Sequence, residues 1–225
     1  MSDALSQLRN RAFAFGLVVF ALMAAVAAYG WFSTEAGAEL PVHWSSSGEV
    51  NRYGSRFEAF ALMPLIWLAM VVVFALLPAM EPRRRHLAQS RLPYLMVMLA
   101  TGLSMLVIHA LTTAAALGAT VDIARVIPPI VGALLVVTGN YMGKTRSNYF
   151  IGVRTPWTLS SELSWRKTHR WAGRVFVLIG LVMVVGAVLP WPQTLMLASV
   201  GVLMIASLAL VAYSYVVWRT DPARE

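Results

Sequence analysis

Five uninterrupted stretches of this sequence lack Asp, Glu, Lys and Arg, and this feature limits the possible fold more than any other. They comprise residues 12–34, 59–80, 92–121, 126–143 and 175–218. About 20 apolar residues cross the hydrocarbon core of a bilayer, so each of the first four stretches predicts one transmembrane helix. The last stretch is about twice that length and is interrupted at Pro190-Trp191-Pro192-Gln193, which predicts two helices joined by a tight turn. The sequence therefore predicts an all-α membrane protein with six transmembrane helices.

The composition excludes the main classes of soluble protein. Of 225 residues, 59% are hydrophobic and 12% are charged, whereas soluble domains are about 45–50% apolar and about 25% charged. An ordinary soluble enzyme, a disordered protein and a DNA-binding domain are therefore excluded. The first apolar stretch is longer than the apolar region of a signal peptide, which spans about 7–15 residues, so we expect it to remain as a helix.

The 18 Lys and Arg residues are distributed unevenly between the two sides of the predicted bundle. If the amino terminus is inside, all of them except Arg52, Arg56 and Arg125 fall on the inner side. The positive-inside rule therefore predicts that both termini lie in the cytoplasm. The net charge of +8 then reflects orientation and contact with lipid headgroups, and we expect no direct binding of nucleic acid.

Two predicted connections are longer than the 2–8 residues that usually join antiparallel helices. Residues 33–57 form an outer loop and residues 140–171 form an inner loop. Both contain aromatic residues, Gly and Pro, so we expect them to be structured. We divide the chain into an N-terminal module, residues 1–90, and a second part, residues 91–225. The first three and the last three predicted helices show no convincing residue-level similarity. The sequence therefore does not decide whether the two halves form an inverted repeat.

The inner loop carries signals for a helix end and for a new helix start. Gly139-Asn140 predicts the end of the fourth helix, because both residue types tolerate the left-handed C-cap conformation. Ser160 or Ser161 is a suitable N-cap for the helix that follows. One face of that helix would carry Trp165, His169 and Ala172.

The inner loop has two interpretations. One is an interfacial anchor, in which aromatic and basic residues form a belt at the headgroups. The other is a functional site, because polar side chains that an electrostatic anchor does not need are interspersed with Trp and Tyr. Those polar residues are Asn140, Asn148, Arg154, Thr168 and His169.

The outer loop contains a titratable residue next to an aromatic one, His43-Trp44, in a piece that we expect to be extended. Ser47-Gly48 and Tyr53-Gly54 predict turns on either side of the intervening residues. The loop is therefore either a binding site near the membrane surface or a packed plug over the bundle.

Other candidate chemistry is sparse. His109 lies inside the third predicted span, where an ionisable residue is a functional-site hypothesis by default, although a structural hydrogen bond to a neighbouring helix is the alternative. The four His residues fall on different segments and the chain has no Cys, so we expect no metal site and no cofactor. No nucleophile motif is present, and we expect the protein not to be an enzyme.

The sequence of the inner loop, GNYMGKTRSNYFIGVRTPWTLSSELSWRKTHRWAGR, resembles the signature of the SdpI family of bacterial integral membrane proteins. That signature has Gly-Asn, then Asn-x-x-x-Gly-x-Arg-Thr-Pro-Trp-Thr-Leu, then Trp-x-x-Thr-His. The matching positions are Gly139, Asn140, Asn148, Gly152, Arg154, Thr155, Pro156, Trp157, Thr158, Leu159, Trp165, Thr168 and His169.

The outer loop resembles a module of uncharacterised function that often precedes the SdpI region. Its pattern is Pro-x-His-aromatic-x-x-x-Gly, followed by a basic-aromatic-Gly turn and a helix with Pro. The matching residues are Pro41, His43, Trp44, Gly48, Tyr53, Gly54 and Pro64.

The SdpI resemblance implies a multi-pass protein of the bacterial plasma (inner) membrane that protects its host from a secreted peptide toxin. It also implies capture of a cytoplasmic transcriptional repressor at the membrane once toxin is bound. Two other hypotheses stay open. The first is a transporter or lipid-handling protein for envelope homeostasis that uses His109. The second is an enzyme at the inner membrane face, with Asn140, Arg154 and His169 as its polar centre.

Overall fold

In the computed structural model, which describes residues 2–189 and 193–224, the chain consists of helices and one β-hairpin. The first helix is followed by two strands and a single π-helical turn, and all later elements are helices. The elements are α1 (Ser2–Phe32), β1 (Leu40–Trp44), β2 (Val50–Gly54), the π-helical turn (Phe57–Ala61), α2 (Leu62–Met80), α3 (Arg84–Gln89), α4 (Arg91–Ala116), α5 (Ile123–Met142), α6 (Pro156–Leu159), α7 (Glu162–Val188) and α8 (Gln193–Arg219).

The prediction of six transmembrane helices is confirmed. Within the described residues, six helical segments are long and apolar enough to cross a membrane. They are Leu5–Phe32, Phe57–Met80, Arg91–Ala116, Ile123–Met142, Glu162–Ala187 and Leu197–Arg219. The predicted turn at Pro190-Trp191-Pro192-Gln193 lies largely outside the described residues, which resume at Gln193, the first residue of α8.

The predicted helix end at Gly139-Asn140 is wrong. Helix α5 continues to Met142, and its C-cap, Gly143, has a right-handed conformation with φ −68°. Gly139 instead lies where α5 contacts α7, and a β-carbon there would be 2.7 Å from the Gly173 carbonyl oxygen. The missing side chain therefore permits a close helix crossing, which a local capping rule does not anticipate.

Glycine is repeated along the interface between α5 and α7. A β-carbon on Gly132 would lie 2.6 Å from the carbonyl oxygen of Gly180, and the pair Gly139–Gly173 shows the same relation one heptad further along. In both cases the nearest atom is a backbone oxygen, which has no rotamer through which it can move away. These two pairs fix the register of the antiparallel helices and bring their backbones into contact.

The all-α prediction requires one addition, because the outer loop contains a hairpin. Strands β1 and β2 pair in antiparallel register, with Leu40 opposite Gly54 and Trp44 opposite Val50. Gly48 has φ +85° in the connecting turn, as predicted. The predicted turn at Tyr53-Gly54 is wrong, since both residues belong to β2 and pair with β1.

The larger hydrophobic core joins α1, α2, α3 and α4 around Trp67. The Trp67 indole donates a hydrogen bond of 2.9 Å to the carbonyl oxygen of Gly16 on α1. Gly102 on α4 makes room for the same ring, because a β-carbon there would lie 2.7 Å from it. This core contains residues from both sides of the division at residue 90, and that division stays a prediction.

The connections lie on two opposite faces of the bundle. One face carries the hairpin and the connection between α4 and α5, and we name it the hairpin face. The other carries the start of α1, the end of α8, α3, and the connection between α5 and α7, and we name it the terminal face. We name residues 143–161, between α5 and α7, the terminal-face segment.

Candidate functional site

Asn148 organises the first turn of the terminal-face segment. Its side-chain oxygen accepts hydrogen bonds from the backbone N–H groups of Phe150 and Ile151, at 2.9 and 2.8 Å. Its amide donates to the carbonyl oxygen of Arg146 at 2.7 Å. Asn148 is fully buried, so this side chain replaces the backbone partners that an irregular segment lacks.

Gly152 and His169 are in direct contact. Gly152 has φ +113°, and a β-carbon on it would overlap the Nε2 atom of His169. That Nε2 accepts a hydrogen bond of 3.0 Å from the Val153 backbone N–H, and Nδ1 donates to the Trp165 carbonyl oxygen at 2.8 Å. These two bonds define a neutral tautomer with the proton on Nδ1. His169 thus attaches the segment to α7.

The predicted face of α7 is present and buried. Trp165 and His169 stack with ring centroids 3.9 Å apart, and Ala172 is fully buried beside them. The Trp165 indole donates to the Thr145 carbonyl oxygen at 3.0 Å. Among the described residues the buried Thr168 hydroxyl has no hydrogen-bond partner.

The Thr155-Pro156-Trp157-Thr158 part of the signature forms the short helix α6 with a capping box. The Thr158 backbone N–H donates to the Thr155 hydroxyl at 3.1 Å, and the Thr155 N–H donates to the Thr158 hydroxyl at 2.9 Å. Pro156 occupies the first helical position, where no N–H is needed. The next helix, α7, is capped by Ser161, one of the two predicted N-caps, whose hydroxyl accepts from the Ser164 N–H at 2.9 Å.

Helix α8 and the residues after it hold the segment from the other side. The hydroxyls of Thr155 and Ser214 are 3.0 Å apart, and the Ser161 hydroxyl donates to the Asp221 carboxylate at 2.5 Å. This hydroxyl, followed by the backbone N–H of Ala223, holds the pKa of Asp221 below its usual value. Ser214 and Asp221 carry no signal in the sequence beyond their polarity at the end of an apolar helix.

A buried carboxylate that the sequence analysis did not single out joins α2 to the segment. Glu81 is 1% exposed, and its two oxygens accept from the backbone N–H groups of Arg83 and Tyr149, at 2.8 and 3.0 Å. The Arg83 guanidinium donates to the Leu159 carbonyl oxygen at 2.8 Å and to the Ser147 hydroxyl. The isolated acidic residue before a run of arginines was the available signal.

Three of the predicted inner residues are not part of this buried network. The Arg154 side chain is exposed, and its guanidinium donates to the Tyr149 carbonyl oxygen at 2.7 Å. Asn140 is exposed on α5 and lines a groove of about 460 Å³ with Arg170 of α7. Trp157 is partly exposed, with its ring 5.2 Å from that of Tyr215. The predicted residues therefore divide into a buried scaffold and a few exposed groups.

The predicted outer residues lie on the hairpin. His43 is exposed, and its Nδ1 is 2.7 Å from the Asn51 side-chain oxygen on the facing strand. Tyr53 is 57% exposed. Trp44, on the opposite side, helps to line a cavity of about 250 Å³ that also includes Pro41. The turn at Gly48 touches the start of α5, since a β-carbon there would lie 3.2 Å from that of Ala124.

His109 lies inside the bundle, apart from both clusters. The ring is fully buried on α4, and within the described part of the chain neither nitrogen has a partner at full hydrogen-bond geometry, although the backbone of Met23 on α1 interacts with the ring. The Thr113 hydroxyl, one turn further along α4, is likewise buried without a partner among those residues. The two polar groups form an unsatisfied pair near the hairpin face.

Comparison with known proteins links these features to a family. Residues 144–215 match the model of the SdpI/YfhL protein family. Residues 17–68 match a domain of unknown function, DUF1648. The Immunity protein SdpI of Bacillus subtilis (strain 168) is 27% identical over 150 residues, which cover 65% of this chain and 68% of the relative. No solved structure matches the chain significantly.

The stretch that matches the SdpI/YfhL model contains most of the terminal-face segment together with α7 and most of α8. It therefore includes the contacts of Asn148, Gly152 and His169. The match thus covers two long helices together with the irregular segment that side-chain hydrogen bonds hold in place. Together with the six apolar helices, it supports a membrane protein related to the SdpI family.

Proposed function

We propose that this chain is a toxin-immunity membrane protein of the bacterial plasma membrane. The observation that carries the proposal is the similarity to the SdpI/YfhL model across most of the terminal-face segment, α7 and most of α8, supported by the likeness to the Immunity protein SdpI. The activity consists of binding rather than catalysis, because most polar atoms of the buried signature residues are used in holding the segment.

The orientation follows from the distribution of charge. The basic residues other than Arg52, Arg56 and Arg125 are on the terminal face or in the helix turns next to it, so this face is cytoplasmic. The hairpin then faces the outside, where a secreted peptide arrives. Tyr53 and His43 are its exposed aromatic and titratable groups.

On the cytoplasmic side, the terminal-face segment offers a rigid surface for a protein partner. Its exposed Arg154 and partly exposed Trp157 belong to residue types that are enriched at interfaces. A cytoplasmic transcriptional repressor is the partner that the family resemblance implies. Toxin affects this partner only if it binds one conformation of the bundle more tightly than another.

The test of immunity is expression of the chain in a sensitive Bacillus host that lacks its own immunity gene, followed by challenge with purified SDP peptide toxin. Expression of the wild type should protect the host. Tyr53→Ala should reduce protection, whereas Thr120→Ala, at an exposed site on the same face outside the hairpin, should not. Unchanged killing of cells that contain well-inserted wild-type protein would contradict immunity to this toxin.

The inner surface needs a separate comparison. Arg154→Ala and Arg154→Lys should both insert normally, since the side chain is exposed and makes one hydrogen bond to a carbonyl oxygen. We expect loss of protection with Ala and partial protection with Lys, because Lys retains the charge without the guanidinium fork. Full protection in both variants would support a simple headgroup anchor.

A second candidate function, transport, is favoured by one observation. His109 and Thr113 are buried polar groups within a span and lack partners at full hydrogen-bond geometry among the described residues, and such groups mark substrate or proton paths in many transporters. Its test is substrate-dependent flux in liposomes that is lost in His109→Ala. Flux that persists in this variant would contradict transport through His109.

A further inference from the structure

The terminal face contains a cavity of about 980 Å³ that the proposed immunity function does not use. Four parts of the chain form its walls: the turn after α2 with α3, the terminal-face segment, the start of α7, and the residues after α8. The volume is at the upper end of the range for small-molecule sites, about 300–1,000 Å³. Its basic lining residues are Arg83, Arg84, Arg85, His86, Arg146 and Arg166.

Three of these guanidinium groups have no hydrogen-bond acceptor among the residues that the structure describes. Within the described ranges 2–189 and 193–224, the side chains of Arg85, Arg146 and Arg166 make no hydrogen bond and no ion pair within 4.0 Å. Arg83 and Arg84, by contrast, donate to carbonyl oxygens. The cavity therefore combines unused, fork-shaped donors from α3, the terminal-face segment and α7.

The two acidic residues in the wall form no ion pair within 4.0 Å with these arginines, although Arg166 interacts with the Asp221 carboxylate at longer range. Asp221 accepts hydrogen bonds from the Ser161 hydroxyl and the Ala223 N–H, at 2.5 and 3.0 Å. Glu162 is 4.0 Å from the His86 ring. The remaining positive charge is concentrated in a concave surface, where it raises the local concentration of anions.

We infer that this cavity binds the phosphate group of a phosphate-bearing ligand. Planar guanidinium groups donate pairs of N–H bonds in a geometry that matches phosphate oxygens, and here three of them come from three different parts of the chain around one cavity. The cavity is also larger than a bare phosphate requires, so it accommodates the body of a larger molecule.

The phosphate has two possible sources. The cavity wall includes Pro82, just after the end of α2, together with Glu162 at the start of α7 and Asp221 just after α8. These helix ends place the cavity at the level of the lipid headgroups, so an anionic phospholipid can supply the phosphate from the membrane. A soluble phosphorylated compound can supply it from the aqueous side.

The experiment compares two arginine variants of the full chain. The cavity variant carries Arg85→Gln, Arg146→Gln and Arg166→Gln. The control variant carries Arg9→Gln, Arg11→Gln and Arg219→Gln, which remove the same charge at exposed sites of the same half outside the cavity. In nanodiscs of phosphatidylcholine, pyrophosphate binding is measured by calorimetry. In detergent, retention of phosphatidylglycerol is measured by native mass spectrometry.

A soluble ligand is supported if pyrophosphate binds the wild type and the control saturably and the cavity variant at least tenfold more weakly. A lipid headgroup is supported if pyrophosphate does not bind but the cavity variant retains at least threefold less phosphatidylglycerol than the control. The inference is overturned if the two variants do not differ in either measurement, or if hexaglutamate competes as well as pyrophosphate. If the cavity variant folds poorly, Arg85→Gln alone gives the same comparison, with an expected effect of about threefold. None of these measurements depends on toxin, so they succeed or fail independently of immunity.

Discussion

Gly152 is the position at which the terminal-face segment tolerates a side chain least, and Gly152→Ala tests the described arrangement directly. Two effects combine there. The φ of +113° is unfavourable for a residue with a β-carbon, and that carbon would overlap the Nε2 atom of His169. The ring has little freedom to move, because it is stacked on Trp165 and hydrogen-bonded to two backbone groups.

The expected loss of stability is the sum of these effects. Backbone strain at such a φ costs about 1–3 kcal/mol. Displacement of the ring leaves the partly buried Val153 N–H without its acceptor, which costs about 1–3 kcal/mol more. Gly152→Ala should therefore lower the free energy of unfolding by about 2–6 kcal/mol.

The chain supplies controls that carry the strain without the overlap. Gly37 and Gly118 have φ +87° and +91°, and a β-carbon on either would meet no atom within 4 Å. Gly37→Ala and Gly118→Ala should each lose only the strain energy, about 1–2 kcal/mol. The assay is equilibrium unfolding of the purified protein in detergent micelles with added SDS, followed by circular dichroism.

A double substitution separates packing from strain. His169→Ala removes the ring, so adding Gly152→Ala to it should cost only the strain energy, and the two changes should couple by about 2 kcal/mol. The reasoning is refuted if Gly152→Ala loses no more stability than the two controls, or if the double variant shows full additivity.

Three further predictions concern other parts of the fold. Gly139→Ala places a β-carbon 2.7 Å from a backbone oxygen of α7 and should lower the stability of the protein by about 1–3 kcal/mol. The control Gly201→Ala meets no atom within 4 Å and should not destabilise the protein. Equal shifts of the melting temperature in the two variants would contradict the close crossing of α5 and α7. His109→Leu removes a buried ring whose nitrogens lack partners at hydrogen-bond geometry among the described residues. The melting temperature of this variant should therefore equal or exceed that of the wild type. A clear decrease would show that the ring makes an essential hydrogen bond. Asp221 has a lowered pKa in the fold, so its ionised form stabilises the protein above its unfolded pKa of about 3.9, and this contribution is lost as the pH falls through the lower folded value. Asp221→Asn should therefore lower the melting temperature at pH 7, and the difference from wild type should shrink at pH 3; a constant difference would argue against the hydrogen bond from Ser161.

The sequence predicts the parts of the fold that depend on local pattern. Span length and charge are properties of single helices, which is why the six spans were identified. The N-cap at Ser161 and the shared face of Trp165 and His169 also follow from residues within one or two turns of each other. Each of these features requires only the geometry of a regular helix.

The features that sequence analysis missed depend on contacts between distant segments. Gly139 was interpreted as a cap because its packing against Gly173 of α7 is not visible along the chain. The sequence analysis predicts two turns in place of the hairpin, because the pairing of Leu40 with Gly54 depends on the register of the two strands, which local sequence does not reveal. Glu81 is not among the predicted site residues, because its role as a hydrogen-bond acceptor depends on the backbone N–H of Tyr149, which is distant in sequence.

The division of the signature into buried and exposed residues determines how its variants should be interpreted. Asn148, Gly152 and His169 hold the backbone of the segment, so their substitution disturbs the fold whatever the protein does. Loss of function in such variants carries no information about a binding site. Arg154 and Asn140 are exposed, and only Arg154 lies within the stretch that matches the family model. The described contacts of both residues contribute little to holding the fold. Their substitutions, with insertion verified, are therefore the ones that distinguish a recognition surface from a structural anchor.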